Sequence, residues 1–320
     1  ARALGLNAQD YYNDKVLEDT DLLYTGTREL PTDFWEANGK DMESWKQDSR
    51  TLYRIKGPLC PELLINEFLW QEGETPFHAI VREKSGKSAV LELLKDYGHQ
   101  KNSIWGITAR NREQNFALNL LMDPEVDFIT LLGQAGTGKT LLTLAAGLTQ
   151  TLESKLYSEI IITRVTVPVG EDIGFLPGTE EEKMTPWMGA LEDNLDVLNK
   201  PTEEGGEWGR AATRDLIRSR IKIKSLNFMR GRTFLNKYLI IDEAQNLTPK
   251  QMKTLITRAG PGTKVVCLGN ISQIDTPYLT EGSSGLTYVV DRFKGWLHSG
   301  HVTLMRGERS RLADHAAEVL

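Results

Sequence analysis

Residues 133–140, Gly133-Gln134-Ala135-Gly136-Thr137-Gly138-Lys139-Thr140, have the types and spacing of a phosphate-binding loop. The glycines let successive backbone N–H groups turn toward one anion. Lys139 places a positive charge on the outer phosphates, and the Thr140 hydroxyl is a Mg2+ ligand. A strand-like apolar stretch, 126–132, leads in, and a good helix former, 141–146, leads out. The helix N-terminus therefore adds its partial positive charge to the same site. Gln114 lies upstream, at the start of a candidate helix over 112–121, and its amide can read an adenine edge with one donor and one acceptor. The candidate ATP-binding set is thus Gln114, Gly133, Gln134, Ala135, Gly136, Thr137, Gly138, Lys139, Thr140 and Leu141.

A second constellation follows at Tyr238-Leu239-Ile240-Ile241-Asp242-Glu243-Ala244-Gln245, where an apolar strand ends in two carboxylates. Asp242 would hold Mg2+ through water, and Glu243 would polarise the attacking water. A hydrolase keeps a carboxylate poised in this way, whereas a kinase must exclude water. Gln273, in Gly269-Asn270-Ile271-Ser272-Gln273, follows another apolar strand and can orient that water. Arginines that could neutralise transition-state charge stand at Arg230 and Arg232, and again at Arg306 and Arg309. A solvated surface position is the alternative for each of them.

These groups need a scaffold that brings strand ends to one edge. Near-continuous apolar runs at 126–132, 159–163, 237–241, 264–268 and 301–305 alternate with helical segments. Such runs suit strands buried on both faces. The expectation is an α/β domain over 106–320, a RecA-like P-loop NTPase core with ligand at the C-terminal edge of a mostly parallel sheet. The strand at 159–163, between the two motifs in sequence, is the arrangement of RecA-like motor ATPases. Residues 20–105 read as a small β-rich domain, a partial barrel or spacer whose exposed aromatics could stack on bases. Residues 1–19 read as a polar tail.

The 320-residue chain carries a formal net charge of −6, so any nucleic-acid surface must be local. A basic stretch runs through Arg210, Arg214, Arg218, Arg220, Lys222, Lys224, Arg230, Arg232 and Lys237. It suits a single-stranded RNA backbone, or else a solvated helix face. Two distant cysteines, Cys60 and Cys267, argue against disulfides and zinc and fit a reducing, cytoplasmic setting. No apolar run is long enough to span a bilayer, so no membrane partner is expected.

The chain resembles the PhoH-like ATPases. The resemblance rests on the phosphate loop, Asp242-Glu243-Ala244-Gln245-Asn246, Gly174-Phe175-Leu176-Pro177-Gly178, Met184-Thr185-Pro186-Trp187, Arg230-Gly231-Arg232-Thr233, Gln273-Ile274-Asp275 and Gly307-Glu308-Arg309-Ser310. The subtype resembled carries a PIN ribonuclease domain ahead of the ATPase. Residues 1–16 look like the tail of such a domain, without its active-site carboxylates. The resemblance implies an ATP hydrolase acting as an RNA helicase, the motor half of a ribonuclease–helicase, and a homohexameric ring. The sequence departs from the family at Arg164-Val165, where Arg-Pro is usual. Related helicases often have Gly-Asp where this chain has Gly269-Asn270. The motif order also resembles the first lobe of superfamily 1 helicases, where an Arg-Ser like Arg309-Ser310 touches the γ-phosphate in cis. A nucleotide-dependent switch or scaffold for a protein partner is the competing function. A small-molecule phosphotransferase is a third, against which Glu243 argues.

Overall fold

The computed structural model describes residues 17, 19–165, 193–194, 197–198, 215–226, 229, 231–305, 307 and 315. The tail at 1–16, the motifs at 174–178 and 184–187, and Arg210, Arg214, Arg230, Arg306, Arg309 and Ser310 lie outside the described residues.

The apolar runs form one parallel sheet. Its strands are β7 (Phe128–Gly133), β8 (Glu159–Arg164), β9 (Ile221–Ile223), β10 (Lys237–Asp242), β11 (Lys264–Gly269) and β12 (Ser299–Leu304), in the order β12-β7-β11-β10-β8-β9. Every neighbouring pair is parallel. Alternate residues of each strand enter different cores, as a period of two requires. Ile160 and Ile162 pack with α2 (Arg112–Leu121) and α3 (Lys139–Leu148). Ile161 packs on the other face with α4 (Pro249–Ile256) and α5 (Gly285–Phe293). Helices thus cover both faces, and the fold is the expected α/β P-loop core. Cys267 is buried in it and free.

Sequence order and spatial order differ at one strand, and the basic stretch is divided between elements. The strand between the two motifs in sequence, β8, is not between them in space; β11 separates β7 from β10. The basic stretch is not one helix face either. Ile221 and Ile223 of β9 pack inward, and Lys222 faces the other way on an exposed edge strand. Arg220 donates to the carbonyl of Ser158, just before β8 begins, and so lies toward the sheet edge opposite the phosphate loop.

Ahead of this core stands a six-stranded sheet of β1 (Thr27–Glu29), β2 (Glu43–Gln47), β3 (Arg50–Lys56), β4 (Phe68–Gln71), β5 (Phe77–Ser85) and β6 (Ser88–Leu93), with α1 (Phe34–Asn38) after β1. Its order, β1-β4-β5-β6-β3-β2, leaves β1 and β2 at opposite edges, so the sheet is open. The expected row of exposed aromatics is absent among the described residues of 20–105. Trp35, Tyr53 and Phe77 pack edge-to-face on one another, and the Arg112 guanidinium covers Trp70 at 3.5 Å. The apolar run 63–70 is a strand only from Phe68. Leu63–Glu67 is a turn in which Asn66 adopts φ 62°.

The two sheets share packing across positions 20 and 106. Phe68 stacks on Phe116 of α2 with ring centroids 4.6 Å apart, while Tyr97 and Ile104 join the core under β7. Leu23 packs in the opposite core, and the Thr303 N–H donates to the Thr25 carbonyl, so residues before β1 run along β12. Arg82 of β5 ties Glu92, Asp123 and Asn66 together, and the Asn66 amide donates to the Leu297 and Ser299 carbonyls.

Gly26 is where this junction is tightest. It has φ +80°, and an added Cβ would lie 1.8 Å from the His301 carbonyl oxygen. Gly26→Ala combines a left-handed backbone with a backbone overlap, and should lower unfolding stability by at least about 2 kcal/mol. Urea titration checks this. His301 itself is buried, with Nδ1 2.6 Å from Thr130 Oγ1 and Nε2 3.0 Å from Thr303 Oγ1. Burial pushes it down from 6.5 to about 3. A depressed histidine contributes stability that is complete above the unfolded value and is lost as pH falls toward the folded one. Between pH 7 and 5 the native protein should therefore lose stability more steeply than His301→Gln, measured by denaturant midpoints across that range.

Candidate active site

The loop 133–138 leaves the C-terminal end of β7 and enters α3 at Lys139. Gly133, Gly136 and Gly138 all have positive φ, and Gly138 caps the helix with no side-chain hydrogen bond. The first-turn N–H groups of α3 are therefore offered to a ligand rather than to a capping side chain. The Lys139 ammonium lies inside the loop, 2.6 Å from the Gly133 carbonyl, 2.8 Å from that of Gln134 and 3.3 Å from Thr137 Oγ1. Burial pushes its pKa down to about 8, opposed by Asp242 and Glu243. Ala135, Thr140 and Leu141 lie on the same loop and first helical turn.

Asp242 closes β10 and is buried; Glu243 follows it in a left-handed conformation, φ 53°. Burial first, and then Glu243, raise the Asp242 carboxyl, while Arg164, the Glu243 N–H and Lys139 pull it down. Arg164, at the end of β8, lies 3.9 Å from Asp242 and 3.7 Å from Glu243. Hydroxyl and carboxylate oxygens, Thr140 and Asp242, are the donor set a Mg2+ ion accepts alongside phosphate oxygens and water. A bound cation would relieve the repulsion within the acidic pair. The residues present thus fit a nucleotide with its metal.

Gln273 leaves β11, which stands between β7 and β10, and its loop therefore separates the phosphate loop from the acidic pair. The Gln273 side chain is exposed, while its carbonyl accepts from the Gln245 amide at 3.0 Å. Asn270 Oδ1 accepts from the Ser272 hydroxyl at 2.7 Å, closing the loop on itself. Gln114 is buried and bridges two segments. Its Oε1 accepts from the Arg110 N–H, and its Nε2 donates to the Thr137 carbonyl at 3.1 Å. Arg232 is not with this group. It precedes β10, so roughly 17 Å of strand separates it from Asp242 of its own chain.

Sequence reasoning missed two residues. Gln245 is fully buried, donates to Glu243 Oε2 and the Gln273 carbonyl, and accepts from the Asn270 N–H at 3.2 Å. Its place two residues after Glu243 was visible, but its partners come from another strand. Arg164 drew notice only as a departure from a family pattern. The parallel register Asp242↔Arg164, which brings it to the acidic pair, needs the sheet order. β9 did have a signal, in the alternation Ile221-Lys222-Ile223-Lys224.

Among the described residues no helix is long and apolar enough to cross a membrane. Comparison with known proteins agrees with the motif reading. The family model described as PhoH-like protein matches residues 106–318. Protein PhoH2 of Bacillus subtilis is 40% identical over 329 aligned residues, covering all of this chain and 69% of that protein. Protein PhoH2 of Mycolicibacterium smegmatis is 36% identical, covering all of this chain and 67% of that protein. Among solved structures, the Pif1 helicase of Candida albicans overlaps 66% of this chain and 43% of its own, at 17% identity and a TM-score of 0.34. That overlap is too partial to add to the fold described above. The chain belongs to the PhoH-like protein family.

Proposed function

We propose that this protein hydrolyses ATP with Mg2+ and uses the cycle to move on or unwind single-stranded RNA. The observation that carries the reading is the acidic pair: Glu243 stands beside Asp242 at the strand end that faces Lys139, fixed by the buried Gln245 amide. A carboxylate so placed can take a proton from water, which favours hydrolysis. Lys139 and the first-turn N–H groups of α3 hold the phosphates, and Thr140 with Asp242 hold the metal. That metal, when bound, neutralises charge on the outer phosphates. Glu243 takes the proton of the attacking water. Arg164 steadies the charge of both carboxylates. The Gln114 amide has a second N–H and a second lone pair beyond those it uses, which suits an adenine edge. Gln273 and Arg309 are the proposed contacts to the γ-phosphate.

The same proposal includes an assembled ring. Arg232 lies too far from its own site to act there, which favours delivery to a neighbour's nucleotide. Head-to-tail contacts between identical chains close into a ring when the rotation permits, and the family resemblance favours a hexamer. This chain spans 69% and 67% of two relatives that match all of it. A preceding PIN nuclease domain, with this chain as the motor half, belongs to the same proposal.

Turnover of ATP with and without single-stranded RNA tests the reading directly; a switch or scaffold would show no RNA stimulation. Lys139→Ala should weaken nucleotide binding at least about 100-fold, because the loop loses its ammonium. Glu243→Gln should leave binding intact and cut turnover by about 10²–10⁴-fold. Normal hydrolysis by that variant would remove Glu243 from its role. Neutralising Arg218, Arg220 and Lys222 together should weaken RNA binding and flatten its salt dependence by up to about three phosphate contacts. Titrations at several salt concentrations measure this. Mixing Lys139→Ala with Arg232→Ala should restore part of the lost ATPase activity, since some interfaces then pair an intact loop with an intact arginine.

A further inference from the structure

The loop from Asn270 to Ser284 joins β11 to α5 at the nucleotide edge of the sheet. Both ends are stitched to the residues that follow Glu243. Gln245 holds the near end, through the Asn270 N–H and the Gln273 carbonyl. Asn246 holds the middle: its Oδ1 accepts from the N–H groups of Asp275, at 2.8 Å, and Thr276, at 3.2 Å. The Thr276 hydroxyl donates to the Asn246 carbonyl, and at the far end Ser284 Oγ donates to the Gln245 carbonyl. Gln245 and Asn246 are both buried. Gly269 lets Gln245 come this close, since an added Cβ there would lie 2.5 Å from Gln245 Oε1.

At the tip of this anchored loop stands Tyr278. Its side chain is fully exposed, and its φ is +65°. An aromatic residue in the left-handed region is a backbone outlier, and a glycine would relieve it. An aromatic ring held wholly in water on a strained backbone gains nothing for the fold. It gains from a ligand with a flat face. A nucleobase supplies one, and stacking on a single exposed ring tolerates any base.

Resting on the RNA reading above, we infer that Tyr278 is a base-stacking contact for single-stranded RNA. Gln245 and Asn246 act as positioning residues that pass the loop's displacement to Glu243. The coupling follows from the bonding pattern. A base that pulls the tip moves the segment 273–276, whose carbonyl and N–H groups hang on Gln245 and Asn246. The Gln245 amide that grips Gln273 also grips the Glu243 carboxylate, so one displacement re-aims the other. RNA occupancy is thereby converted into a change in the group that polarises water.

The test uses the full chain with a fluorescent single-stranded RNA, measured for affinity and for stimulation of ATP turnover. Tyr278→Ala should bind RNA about tenfold more weakly and lose most of the stimulation, with turnover in the absence of RNA unchanged. Tyr278→Phe should keep both properties, because stacking needs the ring and not the hydroxyl. Tyr278→Gly should lose them as Tyr278→Ala does, although it relieves the backbone. Asn246→Ala should bind RNA within about twofold of the native protein yet respond to it less. Native-like RNA affinity and stimulation in Tyr278→Ala would overturn this inference alone. A native protein that binds no RNA would overturn the RNA reading and this inference with it. A Tyr278→Ala variant that changes oligomeric mass but not RNA binding would assign the ring to a contact between copies instead, and overturn it too.

Discussion

A buried carboxylate beside a second carboxylate is the constraint around which the nucleotide edge is arranged. Burial and Glu243 both raise Asp242, and burial lowers Lys139 to about 8. Neither sign of charge is comfortable there alone. Lys139, at the start of α3 after β7, and Arg164 from β8 face the acidic pair, and each sign of charge stabilises the other. This requires three strand ends at one edge, in a fixed order. With β11 between them, β7 and β10 are two strand spacings apart, roughly 10 Å. If β7 and β10 were direct neighbours, the acids would crowd the phosphate loop.

The parts of this arrangement legible in the sequence are the local ones. The phosphate loop, the helix over 112–121 and the strand that ends in Asp242-Glu243 are each written within a dozen residues. Apolar runs buried on both faces announce a parallel sheet without alignment or structure. The sheet order is different, because it depends on which crossovers fit. The sequence places β8 between the motifs, whereas space places β11 there. Arg164 and Gln245 became legible only once that order was known. Each acts through partners more than twenty residues away, Gln245 through Gln273 and Arg164 through Asp242.

The aromatics of the N-terminal sheet show the opposite failure. Composition marks them as stacking surfaces, but an aromatic is as often a packing body as a binding one. Trp35, Tyr53 and Phe77 satisfy one another, and Trp70 lies under Arg112. Among the described residues, Tyr278 is fully exposed and stands in a turn-rich polar segment with no periodicity to draw attention to it. Exposure is a property of the whole fold, so residue type alone could not separate these cases.

The junction between the sheets bears on how the N-terminal domain relates to the nucleotide. One helix, α2, faces both. Phe116 stacks on Phe68 and Arg112 covers Trp70, so the N-terminal sheet grips its outer side. From the same helix, Gln114 reaches the Thr137 carbonyl within the phosphate loop. A glutamine on a mobile helix could not hold that loop, because a hydrogen bond tolerates only tenths of an ångström before it weakens. The stacked ring and the guanidinium fix the helix from outside, and the loop is steadied through it. The N-terminal sheet is therefore better understood as part of the phosphate site's support than as an appended spacer. Its polar ties through Arg82 and Asn66 fit that role, since buried charges and amides specify one docking geometry where apolar contact alone would allow several.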